Sequence, residues 1–536
     1  MNGLLSLLSN LALTGWVATP VLLGLLSAFS AWTRSPLKRR HCWRLGHWVL
    51  VLVLASSLVL GLLLLINIAG WNNGLTSHAL GFGLYPDGLA VWMALLVSAI
   101  ALAILHYAND YLRGDTAYDR FLPWFLVTVA CVLLLVFTAN LLVIALAWIG
   151  SSLALHNLLT LYSERPAARQ AALQKFIASR VGDLCVMIAI LLIHHVYGTF
   201  RLPLIQSQLT AADTGGVPLQ VASVLLAIAA LLKCAQIPFH GWLIRVMEAP
   251  TPVSALLHAG LINLGGFLWL RLYPALDGFT IGHALLIVVG GLSAILAVLV
   301  MQTQSSIKHT LAWSTCAQMG FMLFEIGLGA YHLALLHLLA HSLYKANAFL
   351  SAGRTVTASR QWYPPGIPTT VTRVPAALML ALGVGLLSAA WDAMVNNPVL
   401  ALLMVLALTG TVLGTPGASR RGQYRMLVWA LLVWLVAIGL GALFSTAVPA
   451  PEGFERPLAV QVVALVLVGL LLVSTLMIRF LPGLERVRIM RTHCANGFYL
   501  DQPFDRACAS LAHSGRFTGL LIGRSLNSRN AVGDKS

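Results

Sequence analysis

The chain runs to 536 residues, of which 59% are hydrophobic and only 9% charged. A soluble domain carries about a quarter charged residues, so this composition excludes a water-soluble globular enzyme and points to a protein embedded in lipid. The formal net charge of +16 would suit a nucleic-acid binder, but membrane proteins gather lysine and arginine on cytoplasmic connections; no nucleic-acid partner is expected.

Apolar runs of about 20 residues, each enough to cross a bilayer, follow one another along the chain. They lie at 4–30, 48–69, 85–107, 121–138, 140–161, 172–195, 219–241, 252–272, 278–301, 308–328, 330–352, 374–394, 397–415, 424–446 and 457–480. The pattern predicts an all-α polytopic membrane protein of about fifteen transmembrane helices. The first run has the length of a spanning helix, and its basic cluster follows it, so a cleavable signal is not expected. Residues 481–536 form a basic tail in which Phe504–Leu521 reads as an amphipathic surface helix, and the final residues have the composition of a disordered segment.

The charges orient the array. Alternate connections collect Arg34, Lys38, Arg39, Arg40 and Arg44, then Arg113 and Arg120, then Arg165, Arg169 and Lys175, then Arg245. The same side goes on to Arg354, Arg360 and Arg373 and to Arg420, Arg421 and Arg425, whereas the opposite connections hold Arg201, Arg271 and Arg456. This asymmetry places the N-terminus in the periplasm and the tail in the cytoplasm of a cell inner membrane. The seven cysteines are scattered without a CxxC pair, and His493, Cys494 and Cys508 lack zinc-site spacing, so no metal site is expected.

Ionisable groups inside the apolar runs carry the functional signal, because a charge at a helix centre costs about 2.5–3.5 kcal/mol on insertion scales and therefore faces the bundle interior or an ion path. Lys233 lies on segment 219–241, five residues before Pro238, which breaks helices by withholding a hydrogen bond from the carbonyl of Cys234 and leaves room for water. His258 lies at similar depth on segment 252–272. On segment 330–352, His337, His341 and Lys345 are spaced by four and share one face. Burial penalises the charged form of a lysine, and histidine titrates near neutrality unaided. Together the five residues suggest a proton path. A lone membrane histidine such as His194 or His332 is more simply a packed, hydrogen-bonded residue, and Lys308 at the start of its helix can snorkel to the interface.

These residues sit in KCAQIPFHGWL and EAPTPVSALLHAG, with KFIASRVGDLC, SSIKHTLAWSTCAQMGFM and HLLAHSLYKANAFL alongside. Over about residues 85–395 the chain resembles the antiporter-like, proton-conducting membrane subunits of respiratory complex I and Mrp antiporters. The resemblance implies two inverted five-helix repeats, each with a broken helix, one at Pro238 and the other near Ser388–Asp392. It implies a bipartite core, 121–272 and 278–415, between N-terminal helices in 1–120 and C-terminal helices in 424–480, before the tail. It assigns the proton path to Lys233, His258, His337, His341 and Lys345, with Lys308 before the AWST stretch and Asp183 of the RVGD motif.

Two positions depart from the complex I pattern. Ile149, in NLLVIALAWIGSS, stands where that pattern has a glutamate paired with the central lysine; Asp183 or His156 is the candidate replacement, Asp183 preferred because it can bear the opposite charge. The second broken helix reads GLLSAAWDAM, with Asp392 but no lysine. The shorter pattern is similar to the membrane subunits (DabB) of DAB inorganic-carbon accumulation complexes. That implies a proton-conducting transport subunit with no catalytic site or cofactor of its own, serving a large peripheral zinc carbonic-anhydrase-like partner (DabA) on the cytoplasmic side. The alternatives are a pump subunit of a complex I-like or hydrogenase-like enzyme, a sodium/proton antiporter subunit, and a structural anchor for a soluble enzyme.

Overall fold

A computed structural model describes residues 2–65, 83–353, 420–449 and 456–513, apart from 34, 163, 209–215, 277 and 482, together with Val399 and Leu402. The predicted segments 374–394 and 397–415, with Asp392 and the second helix break, lie outside the described residues but for those two positions. Every regular element described is a helix, and among the described residues the only β pairings are the isolated bridges Leu84–Thr138 and Asn140–Arg201. The helices begin with α1 (Asn2–Trp32), α2 (Pro36–Leu65), α3 (Gly88–Tyr111), α4 (Tyr118–Phe137), α5 (Leu141–Leu159), α6 (Pro166–Tyr197) and α7 (Val217–Lys233), with a short helix, Leu202–Gln208, between the last two. They continue with α8 (Gly241–Arg245), α9 (Thr251–Ala259), α10 (Leu264–Leu272), α11 (Ile281–Met301), α12 (Ile307–Gly327) and α13 (Tyr331–Leu350). After the undescribed stretch come α14 (Arg420–Ala447), α15 (Leu458–Phe480), α16 (Glu485–Ala495) and α17 (Gln502–His513).

Nine helical stretches among the described residues are long and apolar enough to cross a membrane. Large apolar side chains such as Leu25, Trp48, Leu184 and Val466 face outward, which water would not tolerate on this scale but lipid does. The chain is thus a multi-pass helical membrane protein. Trp16 anchors the N-terminal packing, stacked on Phe137 at 4.3 Å with its Nε1 donating to Ser57 Oγ at 3.0 Å.

Three basic residues assigned by sequence to connections belong elsewhere. Lys175 is buried within α6, which begins at Pro166, and its ammonium donates to Ser152 O and Oγ at 2.5 and 3.1 Å. Arg271 is buried near the end of α10, paired with Asp87 at 2.6 Å and donating to Val136 O at 3.2 Å. Arg245 ends α8 and is held by the tail.

The break in the seventh predicted segment comes earlier than Pro238, and its cause is different. Helix α7 stops at Lys233 in a Schellman cap: Gln236 N donates to Leu231 O at 3.0 Å and Ala235 N to Leu232 O at 3.3 Å. Ala235 takes the left-handed conformation (φ 50°) that such caps usually reserve for glycine. The carbonyl of Cys234, expected to be free for water, accepts instead from Gln236 Nε2 at 2.8 Å. Ile237 N donates to Ser293 Oγ on α11 at 3.2 Å, so neighbouring helices satisfy the irregular backbone, as the membrane interior requires.

The eighth predicted segment is also interrupted, at Gly260–Asn263 between α9 and α10. Its break packs against the first: Cys234 Sγ donates to Ile262 O at 3.2 Å, and a Cβ on Gly265 would meet Cys234 Sγ at 2.6 Å and Ala230 O at 2.8 Å. Asn263 bridges outward, its Nδ2 donating to Ala259 O at 3.1 Å and to Ser342 Oγ of α13 at 2.5 Å.

The tail folds back on the bundle. Its predicted helix, 504–521, is described as α17 up to His513, the remainder lying outside the described residues. Asp501 and Asp505 clamp Arg245: Nη1 donates to Asp505 Oδ1 at 2.6 Å, Nη2 to Asp501 Oδ2 at 3.0 Å and also to Asp505 Oδ2. Gln174 of α6 joins both ends of this contact, accepting from Arg245 at 2.8 Å and donating to Asp505 at 2.6 Å.

Candidate functional site

The ionisable residues singled out from the sequence fall into two groups. The first surrounds Lys233, whose ammonium lies 4.3 Å from the centre of the Trp148 ring on α5. The ammonium is buried with no hydrogen-bond partner among the described residues. Trp148 precedes Ile149, so an aromatic face stands beside the place where the complex I pattern has a carboxylate. A cation over an indole gains about 0.5–2 kcal/mol, which stabilises the ammonium without fixing it as an ion pair would. Helix α6 brings the remaining charges: Asp183 pairs with Arg180 at 2.6 Å, and Asp183 and Arg180 both lie within electrostatic reach of Lys233. His156 packs against Phe176 at 5.1 Å and lies within electrostatic reach of Lys175 and Arg180. Lys175 belongs to the group; in the sequence it counts with the basic residues at the start of segment 172–195 and is not singled out.

The second group runs between α12 and α13. Lys345 is fully buried and donates to Leu311 O at 2.7 Å. His258, also fully buried, bonds through Nδ1 to Thr315 Oγ1 at 3.0 Å and stacks on Phe349 at 4.5 Å. His337 is held at both ring nitrogens, Nδ1 3.0 Å from Glu325 Oε2 and Nε2 2.7 Å from Gln318 Oε1. His341 stands between His337 and Lys345, its ring 6.3 Å from that of His337. Its Nε2 and that of His258 are buried without hydrogen-bond partners among the described residues. Lys308 sits half-buried in the first turn of α12, three residues before Leu311.

Helix geometry explains the arrangement. Leu311, Thr315, Gln318 and Glu325 recur on one face of α12, and His337, His341 and Lys345 on the facing side of α13. His337 therefore meets Gln318 and Glu325, and Lys345 meets Leu311 O, across the two helices, along a row about 12 Å long from His337 to Lys345 at 1.5 Å per residue. Glu325 and Gln318 were not singled out from the sequence; the signal was their shared face and the rarity of an acid at the end of an apolar run. Chemically, the row alternates groups that can take up and release a proton, from the Glu325–His337 pair at one end to Lys345 at the other. A substitution in the middle is expected to matter more than one at the rim: His341→Ala should reduce transport at least tenfold more than His332→Ala, at the start of α13, in a proton-flux assay on reconstituted protein. Equal effects of the two would mark the row as packing.

Comparison with known proteins now places the chain. Residues 138–363 match the NADH:quinone oxidoreductase/Mrp antiporter transmembrane family, and residues 71–122 the complex I chain 5 N-terminal family. The probable inorganic carbon transporter subunit DabB of Hydrogenovibrio crunogenus is 35% identical over 87% of this chain and 89% of its own length. The chain belongs to the DabB family. A second member, probable inorganic carbon transporter subunit DabB2 of Halothiobacillus neapolitanus, is 38% identical over 80% of each chain. The fold extends to more distant complexes. A chain of the Mrp complex from Dietzia sp. DQ12-45-1b superposes with a TM-score of 0.50 at 22% identity, covering 97% of this chain and 58% of that one. A chain of the archaeal membrane-bound sulfane sulfur reductase superposes with a TM-score of 0.52 at 18% identity, covering 94% and 99%. The chain thus shares a fold with chains of the Mrp complex and of an archaeal respiratory membrane complex, and both α7 and the row on α13 lie within the antiporter-family match.

Proposed function

We propose that this chain is the proton-conducting membrane subunit of an inorganic carbon uptake complex in the cell inner membrane, with its tail in the cytoplasm. The observation that carries the reading is the row Glu325–His337–His341–Lys345, half-buried at its Glu325–His337 end and buried at His341 and Lys345, with buried His258 beside it, because proton carriers in a membrane interior are retained where ions pass. The names of the DabB relatives supply the cargo, inorganic carbon. Protons enter from the outer side, cross between the two groups with water bridging the gaps, and leave at the tail side. There a peripheral zinc carbonic-anhydrase-like partner, the DabA type, uses their flow to drive hydration of carbon dioxide to bicarbonate in one direction. On this reading Lys233, poised over Trp148 with Asp183 in reach, alternates between charged and neutral as protons pass.

The test is uptake of labelled inorganic carbon by cells expressing this chain with and without the partner. Uptake is expected to need both chains and to fall to background when an uncoupler dissipates the proton gradient. Uptake that survives the uncoupler but stops without external sodium would make sodium the coupling ion, and uptake by this chain alone would remove the partner from the mechanism.

A further inference from the structure

At one end of the bundle, α2, α3 and the start of α4 enclose a cleft of about 590 Å³. Two helices present basic faces across it. Arg40, Arg44 and His47 recur on one side of α2, with His106 and Asn109 on the facing side of α3 and Arg113 just past its end. Of the four arginines that line the cleft, two are already engaged. Arg39 pairs with Asp119 and donates to Thr33 O at 3.0 Å, and Arg113 pairs with Asp110 at 3.1 Å. Arg40 and Arg44 have no ionic or hydrogen-bond partner among the described residues. They are four apart on one helix, where like charges repel, and an anion between them would relieve that repulsion.

We propose that this cleft binds the phosphate of an anionic phospholipid between Arg40 and Arg44. The guanidinium fork matches a phosphate group in shape and charge, and Asn109 and Tyr118, joined by a 3.1 Å hydrogen bond, line the cleft as further polar contacts. The surface next to the cleft favours a lipid over a free anion. Leu45, Trp48 and Leu52 on the adjoining face of α2 are 52%, 66% and 43% exposed, a strip on which acyl chains lie while the headgroup turns inward. Basic clefts between transmembrane helices take anionic headgroups in this way.

The test follows thermal unfolding of the full chain, purified in neutral detergent and depleted of lipid, as phosphatidylglycerol, phosphatidylcholine or inorganic phosphate is added. Phosphatidylglycerol is expected to raise the melting temperature saturably, and phosphatidylcholine to have no such effect. In R40Q/R44Q the half-saturating phosphatidylglycerol concentration should rise about thirtyfold, equivalent to about 1 kcal/mol for each arginine near a membrane surface. In K38Q, whose basic residue precedes the cleft without lining it, the response should stay unchanged. If the double variant fails to assemble, R44Q alone is expected to show about a fivefold rise. An undiminished response in the arginine variants, or an equal loss in K38Q, would overturn the site. A full response to inorganic phosphate alone would overturn the lipid assignment.

Discussion

Lys233→Ala is expected to abolish inorganic carbon uptake, to less than a hundredth of the wild-type rate, while the chain still accumulates in the membrane. The ammonium is buried with no hydrogen-bond partner among the described residues, so its removal strands no buried acceptor among them. The residue ends α7 in a cap built from backbone bonds, which alanine preserves. The loss therefore falls on function more than on folding. Lys233→Arg is the sharper experiment, because it keeps the charge and the contact with Trp148 but holds its proton throughout the working pH range. Uptake in the arginine variant within a factor of two of wild type would show that Lys233 acts as a fixed charge and would remove it from the proton path.

Asp87→Ala is expected to produce the largest loss of stability of any single change outside the proton path. The Asp87 carboxylate does two things at once: Oδ1 accepts from Ala90 N at 2.9 Å and caps α3, and Oδ2 pairs with Arg271. Arg271 is only 2% exposed, so losing its partner leaves a buried charge uncompensated, at about 3–5 kcal/mol. Loss of the cap adds about 1 kcal/mol, although effects centred on one side chain do not sum strictly. Asp87→Asn separates the two, because asparagine caps as well as aspartate and lacks only the charge; most of the loss should remain. Pairing Asp87→Ala with Arg271→Met should recover a large part of it. The measurement is the melting temperature of the purified chain in detergent, and a melting curve for Asp87→Ala that overlays the wild type would show that solvent or lipid already satisfies Arg271.

The residues that bear protons could be picked out from sequence because a lysine or histidine within an apolar run stands out against its neighbours. Lys233, His258, His337, His341 and Lys345 are all visible in that way. Their partners are not. Trp148 and Thr315 are ordinary membrane-helix residues, and only their side-chain contacts with Lys233 and His258 show what they face. The helix break was assigned to Pro238, the residue with the known chemistry, whereas α7 ends at a left-handed alanine whose identity signals nothing. The interruption at Gly260 was missed because its flanking residues are as apolar as any continuous helix. Lys175 was misplaced for the opposite reason: a basic residue near a predicted helix start reads as a connection until the extra turns of α6 enclose it. Asp183 and His156 were both open as substitutes for the missing glutamate, and the fold brings Asp183, with Arg180, into reach of Lys233.

The clamp between Arg245 and the tail has a consequence for how the molecule is made. Asp505 lies 260 residues after Arg245. At a synthesis rate of about 5–20 residues per second, tens of seconds separate the appearance of the two on the ribosome. During that interval the short helix beyond the break is already in place, while the acids that secure its arginine do not yet exist. Gln174, made earlier, is the only member of the clamp present to receive it. The seal at that end of the bundle therefore forms only after the helices it closes, and a chain released early, before residue 501, leaves it open.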